Sequence, residues 1–148
     1  EFIVNFSNLE PDELELLAYI LSLEEEVKAD FQTEEGTFSL CGPMRHKIGH
    51  GKPLGMGSCR LEIDKLVYLF PAEKRYVSLG TPEEAVHEGE SLKEELARLT
   101  QRYRGDTSPT MQYLRKIMVW DPSDTRVFRY PEKSWFDGPG SGRMLKIL

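Results

Sequence analysis

With 148 residues, of which 39% are hydrophobic, 30% charged and 10% aromatic, the chain holds enough apolar material for a packed core. It needs neither disulfide staples nor a structural metal to fold. A net charge of -6 excludes a protein that grips nucleic acid over its whole surface, so any polyanion site must be local. Two cysteines, Cys41 and Cys59, make no disulfide framework, and the sequence shows no signal-peptide hydrophobic region and no bilayer-length apolar run. A reducing, cytoplasmic setting with no membrane partner is expected.

The chain opens on "EFIVNFSNL", so residue 1 reads as a cut point, and the β-branched and aromatic residues 2–6 predict a short strand. A helix is expected over residues 11–23. Pro11 suits its first position, Asp12 and Glu13 suit the positive end of its dipole, and Leu14, Leu16, Leu17, Ile20, Leu21 and Leu23 form a broad apolar face. Residues 24–44 begin with an acidic excess, read as a solvated loop, and end on "TFSLC", a candidate hairpin arm. Further on, "SCRLEIDKLVYLF" alternates at Leu61 and Ile63 and again at Leu66, Tyr68 and Phe70, with a phase slip at Asp64 and Lys65. A long strand returning through "PAEK" into "RYVSL" is predicted.

The C-terminal third reads as helical. "TPEEAV" offers Thr81 and Glu84 as a capping box, and "SLKEELARLTQRY" repeats the box at Ser91 and Glu94 with Leu92, Leu96, Leu99 and Tyr103 on one face. "SPTMQYLRKIMVW" starts a third helix at Ser108 and Pro109. It is expected to bury Leu114, Ile117 and Met118 and to stop before Asp121 and Pro122. "TRVFRYP" predicts a short strand, and "DGPGSG" a loop.

Residues 45–60, "RHKIGHGKPLGMGSCR", stand apart from this acidic background. They hold four glycines, four Lys/Arg and two of the three histidines, with no carboxylate. Glycines 49, 51, 55 and 57 let a partner approach the main chain, so amide N–H groups there are candidate phosphate donors. Arg45, Lys47, Lys52 and Arg60 add positive charge, and His46 and His50 add hydrogen bonds or stacking surface. Nucleotide hydrolysis is disfavoured: Pro53 follows Lys52 where a Walker loop needs Ser or Thr, and a strand rather than a helix follows.

"HKIGHGKPLGMGS", residues 46–58, resembles the glycine-rich signature of the CRISPR-associated RAMP superfamily, and "FIVNFSNLEPDELELLAYIL" resembles the strand and helix that precede that loop there. "LRKIMVW" and "RYP" resemble the family's C-terminal tail more weakly. The similarity implies an α+β, ferredoxin-like (RNA-recognition-motif-like) antiparallel sheet with helices on one face, incomplete in this chain, plus a C-terminal helical extension. Residues 1–80 would form the RAMP portion and residues 81–148 the extension packed on it in one compact unit. The exposed sheet edge of such a fragment would be covered by C-terminal strands or by pairing into a homodimer.

The same resemblance implies an RNA-binding component of a prokaryotic antiviral defence complex, with CRISPR guide RNA and other effector subunits as partners and no cofactor. The RNA-binding set is Arg45, His46, Lys47, Gly49, His50, Gly51, Lys52, Gly55, Gly57 and Ser58, with no catalytic and no metal residues assigned. The alternatives are a metal-independent endoribonuclease, with His46 or His50 as general base or acid beside Lys52, and a protein-interaction module of the assembly. Cys41, His46, His50 and Cys59 make a C-x4-H-x3-H-x8-C arrangement whose spacing misses the usual zinc knuckle. The scattered aspartates read as caps or solvated surface, and Trp120, Tyr130, Trp135 and Phe136 as core more than as stacking platforms.

Overall fold

Local signals set the first helix. Pro11 occupies the first turn, Asp12 and Glu13 follow it, and the Glu13 carboxylate accepts from the Glu10 backbone N–H at 2.9 Å. In the computed structural model, which describes residues 1–33, 36–49, 57–69 and 84–125, this helix is α1, Pro11–Ser22. The order continues with β1 (Val27–Thr33), β2 (Gly36–Gly42), β3 (His46–Lys47), β4 (Ser58–Cys59), β5 (Leu66–Leu69), β6 (Glu84–His87), α2 (Gly89–Arg104) and α3 (Pro109–Met118). The fold is α+β: three helices and three two-stranded antiparallel pairs among the described residues, β1–β2, β3–β4 and β5–β6. None of those helices is long and apolar enough to cross a membrane. The chain divides into two units, one of Glu1–Leu23 with Leu61–Asp106, the other of Glu24–Arg60 with Thr107–Leu148. Each unit therefore draws on both sides of residue 80.

In the first unit α1 packs on α2. Ala18, Tyr19 and Leu23 are buried from one side and Leu92, Leu99 and Thr100 from the other, and the Tyr19 and Tyr103 rings lie 5.3 Å apart. The α1 face is thus rotated from the leucine stripe: Leu16 and Ile20 are exposed, and Tyr19, only 1% exposed, is the most buried side chain of α1. Arg104 ties off the C-terminus of α1, donating to the Leu23 carbonyl at 3.1 Å and to Thr100 Oγ1 at 2.8 Å. Residues 2–6 form no strand. Phe2 and Ile3 are 63% and 83% exposed, and a strand whose backbone groups find no ladder partner gains nothing from its β-propensity alone.

The expected long strand over 58–70 is two short ones. It breaks at the phase slip: Ser58–Cys59 belongs to one unit and Leu66–Leu69 to the other. The partner of β5 is β6, with Leu66 opposite His87 and Val67 opposite Val86. "EAVH" is therefore strand rather than helix, because cross-strand pairing of Ala85 and Val86 outweighs the capping signal. The "RYVSL" return strand and Thr81 lie outside the described residues. Helix α2 starts two residues before Ser91, with Glu88 as N-cap and the Ser91 hydroxyl accepting from the Glu88 N–H at 3.2 Å.

Between β5 and α2 a polar triad closes the first unit. Tyr68 donates to Glu95 Oε1 at 2.8 Å, and Arg98 donates to both Glu95 oxygens at 2.7 and 2.8 Å. The Arg98 hydrogen bonds, above all, hold the Glu95 carboxyl at about 2, while burial and the Glu95 hydrogen bond push the Tyr68 hydroxyl up to about 12. The lowered Glu95 value contributes stability that is complete above pH 4.5 and fades as pH falls toward 2. The raised Tyr68 value contributes stability that is complete below pH 10 and fades as pH rises toward 12. Glu95→Gln is expected to flatten the acid limb of a stability-against-pH profile between those acid values. An acid limb identical to wild type, read by thermal unfolding, would show that the triad is not coupled to folding.

In the second unit β1 and β2 form a hairpin in register from Val27 opposite Gly42 to Thr33 opposite Gly36. Strand β1 corrects the reading of its segment as a solvated loop: Val27, Ala29 and Phe31 alternate with Lys28, Asp30 and Gln32, and Ala29 and Phe31 are buried. Helix α3 packs on β1, and Val119 joins Ala29 and Phe31 in a small core against Val27, Phe38 and Leu40. The Phe31 and Phe38 rings stack at 5.0 Å. Ser108 caps α3 as expected, accepting from the Met111 N–H at 3.4 Å, but the buried residue is Met111, and Ile117 is exposed. "TRVFRYP" from Arg126 onward and "DGPGSG" lie outside the described residues.

Candidate functional site: the glycine-loop hairpin

The base of the basic loop is anchored by backbone bonds on both sides. Met44, 1% exposed, donates its N–H to the Glu24 carbonyl at 2.8 Å and pairs in an isolated bridge with Val119. Arg45 N–H donates to Met118 O at 2.7 Å, and Trp120 N–H donates to Pro43 O at 2.8 Å. Segment 43–45 is thus stitched to the end of α3, and this sets the direction in which the loop leaves.

From there β3 and β4 pair antiparallel, His46 opposite Cys59 and Lys47 opposite Ser58, and the Ile48 N–H donates to the Gly57 carbonyl at 2.9 Å. The two ends of the glycine-rich stretch are therefore paired as a two-stranded hairpin stem. Gly49 and Gly57 stand at the two ends of that stretch with φ of +93° and +76°, in the region that favours glycine. Their surroundings differ. A Cβ on Gly57 would lie 1.9 Å from the Ile48 carbonyl oxygen, whereas one on Gly49 would meet nothing within 4 Å. Gly57 is required by the hairpin's own packing, and Gly49 leaves main chain open to a visitor.

Lys47 and Ser58 face each other across the ladder, the ammonium donating to Ser58 Oγ at 2.7 Å. Burial pulls the Lys47 amine below the ordinary lysine range. That bond occupies one ammonium proton and directs the Ser58 hydroxyl proton elsewhere, so the pair is built to present donors at the root of the loop. His46 is half-buried on the same strand, opposite Cys59. Cys41 sits in the other hairpin, on β2, and donates its backbone N–H to Asp121 Oδ2 at 2.9 Å. His50, Gly51, Lys52 and Gly55, the remaining members of the expected set, lie outside the described residues.

The arginines are arranged in a way the loop's own sequence does not reveal. No carboxylate occurs within residues 45–60, yet Glu25 is brought between Arg45 and Arg60: its Oε2 lies 3.3 Å from Arg45 Nη2 and its Oε1 lies 3.3 Å from Arg60 Nε. Arg45 is further held by a 2.8 Å bond to the Met44 carbonyl and by the face of Trp120, 5.9 Å from the ring centroid, and its side chain is 14% exposed. Arg60 and Glu25 are about half exposed. No family model, curated protein or solved structure matches the chain. Glu25 is the residue that sequence reasoning missed. Its signal was the acidic run "EEE" at residues 24–26, whose placement opposite the basic loop depends on β1 and β2 intervening as a hairpin.

Proposed function

We propose that the chain is a non-catalytic RNA-binding component of the RAMP kind, with the 45–60 hairpin lying along a guide-RNA backbone in a CRISPR effector complex. The observation that carries the reading is the hairpin itself. The two ends of the stretch that resembles the RAMP signature pair as antiparallel strands, with a Lys–Ser donor pair at their root and an open positive-φ glycine beside it. Phosphodiester recognition needs such donors and local cations, and binding without base-edge contacts would be sequence-tolerant. The ferredoxin-like arrangement belongs to the same proposal. Its support is the antiparallel pairing and the helix preceding the loop.

The test is fluorescence anisotropy with labelled CRISPR-repeat RNA, titrated between about 50 and 200 mM salt. Lys52→Ala and Arg45→Ala are each expected to reduce the salt slope of binding by about one unit. Unchanged slopes in both variants would remove the hairpin from the interface. Cleavage of the same RNA, lost in His46→Ala or His50→Ala with binding retained, would replace the proposal by the endoribonuclease reading. Capture of a protein partner without RNA would favour the interaction module.

A further inference from the structure

We infer that Glu25 is an internal stand-in for a phosphate: its carboxylate occupies an oxyanion site formed by Arg45 and Arg60, and an RNA phosphodiester binds by displacing it. This rests on the proposed RNA-binding role of the hairpin and adds Arg60 and Glu25 to the interface. Three features of the geometry support it. Each carboxylate oxygen meets a different guanidinium at 3.3 Å, the arrangement that two arginines offer to the two free oxygens of a phosphodiester. Arg45 is fixed by Trp120 and the Met44 carbonyl, so its fork is in place before any ligand arrives. Glu25 and Arg60 are about half exposed, so the carboxylate can swing into solvent when a stronger oxyanion takes its place.

Such a latch selects among anions. A tethered carboxylate competes at an effective concentration in the millimolar range, which a lone inorganic anion does not overcome. A polyanion that also engages the Lys47–Ser58 root gains further contacts for the loss of one carboxylate. The latch therefore suppresses capture of isolated anions and leaves binding to extended backbones.

Glu25→Gln keeps the side-chain volume and removes the charge. It is expected to tighten binding of labelled repeat RNA by about three- to tenfold, the range spanned by one or two exposed ion pairs. Glu26→Gln, a neutralisation one position along, is the control for general charge and is expected to give a smaller change. In Glu25→Gln/Arg60→Ala the gain should disappear, because the two side chains act on the same site. Inorganic pyrophosphate, followed through the Arg60 Nε–H resonance, gives a second readout and should bind Glu25→Gln more tightly than wild type. A gain with pyrophosphate but no RNA binding by any variant would keep the latch and sink the RNA reading. Equal affinities of wild type and Glu25→Gln for both probes, or equal gains in Glu25→Gln and Glu26→Gln, would overturn the latch.

Discussion

Arg115→Met is expected to lower the unfolding free energy by about 3 kcal/mol or more, because it leaves the Glu24 carboxylate buried without its guanidinium. Arg115 Nε lies 2.9 Å from Glu24 Oε1, and the two side chains are only 14% and 11% exposed, so water cannot replace the lost partner at low cost. The pair also sits at a structural crossing. Glu24 supplies the carbonyl that receives the Met44 N–H, and Arg115 supplies the carbonyl that receives the Val119 N–H, so both ends of the Met44–Val119 bridge run through these residues. Replacing both partners, Glu24→Met with Arg115→Met, should recover much of the loss, since desolvating two charges offsets most of what their attraction contributes. Urea unfolding followed by tryptophan fluorescence reports this directly, Trp120 lying in the same unit. If the single variant unfolds at the wild-type midpoint, the pair is worth no more than a surface bridge, and the packing of segment 43–45 rests on its backbone bonds alone.

The sequence made the helices legible where capping chemistry is local. Pro11 with its acidic first turn, and Ser108 with Pro109, locate the starts of α1 and α3 to within a residue. It misled where the outcome depends on a distant partner. "FIVNF" has the composition of a strand and finds no ladder, whereas "EAVH" has a helix signal before it and does find one in β5. Strand β1 was hidden differently. Its alternation of Val27, Ala29 and Phe31 is plain once isolated, but the acidic residues on either side give the segment the look of a solvated loop. Burial followed tertiary geometry too: α1 meets α2 through Tyr19 and Ala18, and no periodicity count could prefer them to six aliphatic positions. At the candidate site the need for glycine at 49 and 57 could be read in advance from composition. The Glu25 bridge could not, because it is made by residues on opposite sides of a hairpin.

Gly57→Ala should be the most damaging single change in the glycine stretch. Holding alanine at a φ of +76° costs about 1–2 kcal/mol by itself. In addition its methyl would lie 1.9 Å from the Ile48 carbonyl oxygen and 3.1 Å from the carbonyl carbon, which are backbone atoms that no rotamer change can move aside. Relief requires β3 and β4 to separate at the point where the Ile48 N–H meets the Gly57 carbonyl, and that separation also pulls Ser58 from Lys47. Gly49→Ala is the informative comparison: it shares the unfavourable φ, +93°, but its methyl would meet open space, so only the conformational cost applies. Amide hydrogen exchange at Ile48 separates the two cases. Protection should collapse in Gly57→Ala and persist in Gly49→Ala, and if both variants kept wild-type protection the hairpin would not be the rigid root that holds the loop. Because the proposed RNA contacts are anchored on that root, Gly57→Ala should weaken RNA binding through lost positioning. Gly49→Ala should weaken it only to the extent that a phosphate approaches the bare main chain there.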